Sequence, residues 1–279
     1  MSEEIHQLQC MEIWGGNMSA RDALSTPGLD LWVHAEPYGD GDEGGDIHYV
    51  SACASGRIAR IAVADVAGHG SDVSELAREL REFMRKNINT VDQRRMTRQI
   101  NRSFHRAASD GKFATALLAS YFSPTDELII VNAGHPRPML YRAAEGRWKV
   151  IVEELRSEGE SSGLPLGVIE PTEYAQQAVK LERGDMVLIY TDSVTECRRE
   201  DGCMLGEAGL IGLLNELDPG RAELIVDALV ARLKEMRCGE ALDDDLTVML
   251  MHHNGGDAGR PTIGETLTAV AKMMGIMKV

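Results

Sequence analysis

The sequence predicts an α+β protein in which antiparallel sheet is covered by a layer of helices, and three observations carry that prediction. The run Asp46 to Ala54, then Ser55-Gly56, then Arg57 to Ala64 has strand composition on both sides of a two-residue turn and reads as a hairpin. Directly after it, Val73, Leu76, Ala77, Leu80, Phe83 and Met84 recur at helical spacing, and a second stripe follows at Met96, Ile100, Phe104 and Ala107. Two consecutive amphipathic helices need a sheet face to lie on. Strand-like runs then return and recur to the end of the folded part.

Taken in order, residues 1 to 28 are polar and glycine-containing, without sustained periodicity, and read as a leading arm. LDLWVHAEP, from Leu29, is the first expected strand. The following PYGDGDEGGD imitates a calcium loop at Asp40, Asp42, Gly45 and Asp46. Its twelfth position is Ser51 rather than Glu and its flanks are strand-like, so that reading is set aside. Ser71 suits the N-cap of the first helix, whose outer face carries the pairs Arg78/Glu82 and Glu82/Lys86. Strands are expected over Phe113 to Phe122, Glu127 to Asn132, Arg137 to Tyr141 and Trp148 to Val152. NAGHPRP forms a turn between two of them, with His135 as a structural turn residue rather than a base. Residues 153 to 163 are charged and read as a surface loop; GLPLG at 163 to 167 is a rigid turn. Strands Gln176 to Leu181 and Met186 to Thr191, helices at 207 to 216 and 221 to 236, and a last strand Leu246 to His252 complete the pattern. The tail differs in character. Thr262 and Glu265 make a capping box, and Ile263, Leu267, Val270, Met274 and Met277 form an apolar stripe. That stripe requires burial on its own domain or on a partner, so residues 262 to 279 are the expected contact for a homodimer or another protein.

Composition narrows the function classes. A formal charge of -15 over 279 residues argues against a nucleic-acid surface, which would display basic stripes. Five cysteines, at 10, 53, 197, 203 and 238, are odd in number and contain no C-x-x-C pair, which predicts reduced thiols in the cytoplasm. No secretory signal is recognisable at the N-terminus, and no apolar run approaches the roughly 18 residues that span a bilayer.

The chemistry-bearing residues are aspartates at strand ends. Asp46 opens one apolar run, Asp65 closes the next, Asp192 closes MVLIYT, and Asp244 with Asp245 opens LTVMLM. In an antiparallel pair the start of one strand lies beside the end of its neighbour. Asp46 and Asp65 are therefore expected to be neighbours, as are Asp192 and Asp244 if their strands pair likewise; nothing in the sequence makes the two couples face each other. If they do, like charges roughly 4 Å apart repel by about 4 kcal/mol at an effective dielectric near 20. Divalent cations would relieve that repulsion, and all-carboxylate sites suit magnesium or manganese better than zinc.

Seven short motifs then occur in a fixed order: GGD at 44 to 46, DVAGHG at 65 to 70, FAT at 113 to 115, NAGHP at 132 to 136, GLPLG at 163 to 167, RGDMVLIYTDSVTE at 183 to 196 and DDLTV at 244 to 248. Together they resemble the bacterial SpoIIE-type branch of the PPM (PP2C-like) metal-dependent phosphatases, over about residues 29 to 253. The resemblance implies an α-β-β-α sandwich of two mainly antiparallel sheets; composition and periodicity set beside it an arm at 1 to 28 and a tail at 254 to 279. It implies two Mn2+ or Mg2+ ions and a metal-bridging hydroxide that removes phosphate from phosphoserine or phosphothreonine of a protein in bacterial signalling. A phosphorylated anti-sigma antagonist is the specific substrate candidate.

Carried over position by position, Asp65 matches the bridging aspartate, the Val66 carbonyl the adjacent ligand, and Asp46 the acidic residue of the first strand. Asp192 and Asp244 match the two later metal aspartates, with Asp245 as a neighbour rather than a ligand. Asp65, Asp192 and Asp244 are the expected catalytic set. Two departures stand out: Ser193 replaces a glycine after the TD pair, and Asp72 enters the helix after the GHG turn. His69 lies in that turn at an offset that does not match the eukaryotic members. Arg57 and Arg60 are either phosphate contacts or paired surface arginines. Two alternatives stay open: a catalytically weak pseudophosphatase acting as a regulatory binding module, and a phosphatase of small phosphorylated molecules.

Overall fold

The computed structural model describes residues 5–9, 12–39, 42–53, 57–68, 71–90, 92–108, 111–152, 163–199, 201–237 and 244–256. In chain order these form β1 (His6–Gln7), β2 (Ile13–Met18), β3 (Ala20–Thr26), β4 (Leu29–Glu36), β5 (Glu43–Cys53), β6 (Ile58–Val66), α1 (Ser71–Asn87) and α2 (Gln93–Ala107). There follow β7 (Ala114–Phe122), β8 (Glu127–Ala133), β9 (Met139–Arg142), β10 (Arg147–Val150), β11 (Gln177–Lys180) and β12 (Met186–Tyr190). The chain continues through α3 (Asp192–Glu196), α4 (Gly206–Glu216), α5 (Ala222–Met236) and β13 (Leu246–His253).

The strands make two sheets, ordered β1-β3-β4-β13-β12-β9-β10 and β11-β8-β7-β6-β5-β2. Pairing is antiparallel apart from β1 with β3. Side-chain alternation along each central strand serves two cores at once. On β6, Ile61 and Val63 face the other sheet, while Ala62 and Ala64 lie under α1 and α2. On β13, Met249 and Met251 point between the sheets, and Val248 and Leu250 pack under α4 and α5. Three apolar layers result, and the architecture is the expected α-β-β-α sandwich.

The leading segment differs from its reading as an arm. From Ile13 on it is sheet: β2 pairs with β5, and β3 pairs with β4 over Ala20↔Ala35 to Thr26↔Leu29. In β2 glycine hides the alternation, and in β3 small and polar residues do. Gly15 has φ +113°, and a Cβ on it would stand 2.1 Å from the His48 carbonyl oxygen, so this strand needs a residue with no side chain. The short helix α3 was also not legible, because five residues are too few to show a period. The expected surface loop, apart from Gly163, the tail stripe and Cys10 and Cys238 lie outside the described residues. Cys197 and Cys203 are free thiols. No helix among the described residues is long and apolar enough to cross a membrane.

Candidate metal centre

The β5–β6 hairpin brings its two aspartates into register, Asp46↔Asp65, as the antiparallel geometry requires. In the other sheet β12 pairs with β13 from Met186↔His252 to Tyr190↔Val248, and Thr191 N–H donates to the Thr247 carbonyl at 3.0 Å. That pairing sets Asp192, just past β12, near Asp244 and Asp245, just before β13. The two couples meet at one end of the sandwich. Thr191 Oγ1 donates across the gap to Asp46 Oδ2 at 2.9 Å. The Asp245 carboxylate reaches the same hairpin, accepting the backbone N–H groups of Gly45 at 2.5 Å and Asp46 at 3.2 Å, and also that of Tyr38, before β5, at 2.6 Å. With its oxygens committed to amides, Asp245 is a fastening residue, consistent with its reading as a neighbour of the ligand.

The glycines of GGD follow from this approach. A Cβ on Gly44 would lie 2.5 Å from the Asp245 carboxylate, and one on Gly45 would lie 2.9 Å from both the Val66 carbonyl and the Val73 side chain. Side chains of any size would push β5 off β13 and off the start of α1. The NAGHP and GLPLG motifs explain each other similarly. Gly134, at φ +74°, sits where a Cβ would meet Pro165 at 2.7 Å, and Leu166 pairs with Ala114 beside the strand facing Asp65.

The electrostatics are those of crowded carboxylates. Burial first, then Asp65 and Asp245, raise the proton affinity of Asp46 well above the usual carboxylate range, against the opposing pull of the Thr247 and Thr191 hydroxyls. Burial, then Asp192, Asp244 and Asp245, push Asp65 up to about 7. Asp192 is raised by burial and by Glu196. Among the described residues no three His, Cys, Asp or Glu side chains are closed into a metal cage. Mutual repulsion is the physical reason for carboxylates to stand apart in a shared cleft. The donor set itself, carboxylates plus the fully buried Val66 at the end of β6, offers oxygen only and fits a hard divalent ion.

Other sequence candidates fall elsewhere. Asp72 is exposed and stands 4.0 Å from Lys112 Nζ. His135 is buried, its Nδ1 is 3.0 Å from Thr115 Oγ1, and Asn132 bonds its backbone N–H and C=O at 2.8 and 2.9 Å. Burial pushes it down to about 3, which fits the turn role and not proton transfer near neutrality. Arg60 is neither at the phosphate site nor on the surface: it is buried beneath the helices, donating to Gln93, Ser120 and the Thr90 carbonyl. Arg57 is likewise buried, just before the end of β6 opposite Asp65. His69 lies outside the described residues. Ser193 sits inside α3 with no positive φ, so the strain expected of a non-glycine residue is absent. Sequence reasoning missed Thr191 and Thr247; two buried threonines facing each other at strand ends were the available signal.

Comparison with known proteins agrees with this geometry. The family described as Stage II sporulation protein E (SpoIIE) matches residues 55–254. Phosphoserine phosphatase RsbU of Bacillus subtilis (strain 168) is 26% identical over 192 residues, covering 68% of this chain and 54% of the relative. This chain thus spans about half the length of that curated relative. The crystal structure of the RsbU and RsbW domains of Rv1364c from Mycobacterium tuberculosis superposes with a TM-score of 0.66 at 23% identity, covering 93% of this chain and 71% of that one. RsbX in complex with magnesium gives 0.60 at 18% identity, covering 84% and 99%. With the two aspartate couples at one edge of a PP2C-type sandwich and the family match running from β6 past β13, the chain belongs to the SpoIIE family of PPM phosphatase domains.

Proposed function

We propose that this chain is a metal-dependent protein phosphatase acting on phosphoserine or phosphothreonine. The observation that carries the reading is the convergence of aspartates from two separate sheets on one cleft, where burial and neighbouring carboxylates push Asp65 up to about 7. Asp46, Asp65, Asp192, Asp244 and the Val66 carbonyl are the proposed holders of two Mn2+ or Mg2+ ions; RsbX, of the same fold, was solved with magnesium. When bound, such ions supply hydroxide near neutral pH and the positive charge that admits a phosphate dianion to an acidic cleft. Asp65, paired with Asp46 and close enough to Asp192 and Asp244 to feel their charge, would be the central donor of the set, and Asp245 keeps the β5 edge against β13 so that the set stays together. The proposed substrate is a phosphorylated protein, with an anti-sigma antagonist as the specific candidate, and the proposed setting is cytoplasmic signalling.

Manganese-dependent hydrolysis of p-nitrophenyl phosphate and of a phosphoserine peptide tests this, with activity lost in Asp65→Asn. A panel of phosphoproteins and phosphorylated metabolites separates protein from small-molecule substrates. Metal binding with no hydrolysis of any of them would leave a binding module instead.

A further inference from the structure

A hydroxyl has one proton to donate and two lone pairs with which to accept. The Thr191 side chain is completely buried, so each of these must be accounted for within the protein. Its oxygen accepts the Thr247 backbone N–H at 2.9 Å, and Ser193 Oγ stands 3.5 Å away on the same side chain's remaining flank. The proton has three acceptors within reach, Asp46 Oδ2 at 2.9 Å, the Thr247 carbonyl at 3.4 Å and Ser193 Oγ at 3.5 Å. That carbonyl already receives the Thr191 N–H at 3.0 Å. The nearest acceptor, the Asp46 carboxyl oxygen, is favoured.

We infer that Thr191 is a positioning residue for Asp46: its hydroxyl, oriented by the Thr247 amide, engages one carboxylate oxygen and leaves the other for a divalent ion. The inference rests on the reading of Asp46 as a metal holder. It gives the threonine a role that spans the sandwich, since Asp46 belongs to one sheet and Thr191 and Thr247 to the other. Ser193, the departure from the family's glycine, stands next to this hydroxyl, its Oγ 3.5 Å away.

Mn2+ titration calorimetry on the metal-stripped full chain tests the inference, with circular dichroism and thermal unfolding in chelator as folding controls. Thr191→Val should weaken Mn2+ binding by about 10-fold or more, the effect typical of losing a group that orients a ligand. Thr191→Ser, which keeps the hydroxyl, should stay within about threefold of the unmodified protein. Unchanged affinity in Thr191→Val overturns the inference, as does a loss in Thr191→Ser equal to that in Thr191→Val, which would implicate the methyl group. Thr191→Ala supplies a second hydroxyl-free chain. If neither it nor the valine variant folds, the hydroxyl is structural and the positioning role is refuted. Asp46→Asn separates the two layers of argument. If it binds Mn2+ normally, the metal assignment of Asp46 fails; if it binds weakly while Thr191→Val binds normally, only the role of Thr191 fails.

Discussion

Asp65 concentrates the electrostatic cost of the cleft. Its carboxyl is pushed up to about 7 by burial and by three aspartates, against an ordinary value of 3.8. Between those limits the folded chain binds a proton that the unfolded chain releases, so the metal-free protein loses stability as pH rises through that window. Asp65→Asn removes the charge at nearly constant shape. In chelator at pH 8 its melting temperature should exceed that of the unmodified protein, and the gap should close as pH approaches about 4. Differential scanning fluorimetry reads this, and equal melting temperatures at pH 8 would refute it. The buried histidines act with the opposite sign. His135 is pushed down to about 3 and His48 to about 4, both chiefly by burial. Below 6.5 the unfolded chain takes up protons that these folded imidazoles refuse, so their contribution is intact above that pH and is lost as pH falls toward 4. Imidazole resonances of both residues should keep neutral shifts from pH 7 to pH 5 in a nuclear magnetic resonance titration of the folded chain, and a shift to the protonated position in that range would refute the assignment.

The β5–β6 hairpin shows how local rules reach as far as a site. Its register depends on neighbouring residues alone, so Asp46 opposite Asp65 was legible from the sequence. The fastening of that hairpin to β13 was not, because Asp245 and its amide partners are some 200 positions apart. Gly45 lies at the junction of the two. An added Cβ, 2.9 Å from the Val66 carbonyl and from Val73, must displace either a proposed ligand or the first turn of α1. Overpacking of this kind costs about 1 to 3 kcal/mol. Gly45→Ala should therefore lower the melting temperature modestly and, if the Val66 carbonyl is the atom displaced, reduce metal-dependent activity more than tenfold, as its proposed role as a metal holder requires. Retained activity with lowered stability would show that Val66 is not part of the centre. Arg60 illustrates the reverse error. An arginine in a strand pattern reads as solvated, yet Gln93, Ser120 and the Thr90 carbonyl satisfy it under the helical layer, and all three partners are remote in sequence.

The sandwich as a whole extends further toward the N-terminus than periodicity suggested. The strands from Leu29 onward, and the three-layer order, follow from alternation that any central strand must show. Within the segment Ile13 to Thr26, β2 escaped because Gly15 serves close backbone contact instead of a hydrophobic face, and β3 because its run ARDALST is mostly small and polar. Asn17 makes its attachment explicit, donating to the Gly44 carbonyl at 3.0 Å and the Ser74 carbonyl at 3.3 Å. A chain beginning at Leu29 would leave β4 and β5 with unpaired edges and remove Leu24 from the core between the sheets. It should fail to give a cooperative unfolding transition, whereas a chain that begins at Ile5 and keeps every strand described above should retain one. Circular dichroism melts of the two truncated chains decide the point.

Asp46 and Asp65 belong to one sheet; Asp192 and Asp244 flank strands of the other. An ion gripped by both would act as a clasp across the seam, meeting its full complement of oxygens only after the halves have docked. Such a ligand favours the finished molecule over every half-assembled form, so the midpoint of heat denaturation would climb with the logarithm of its concentration. Cellular supply of the ion would then govern how long the protein survives, apart from any part it plays in the proposed chemistry.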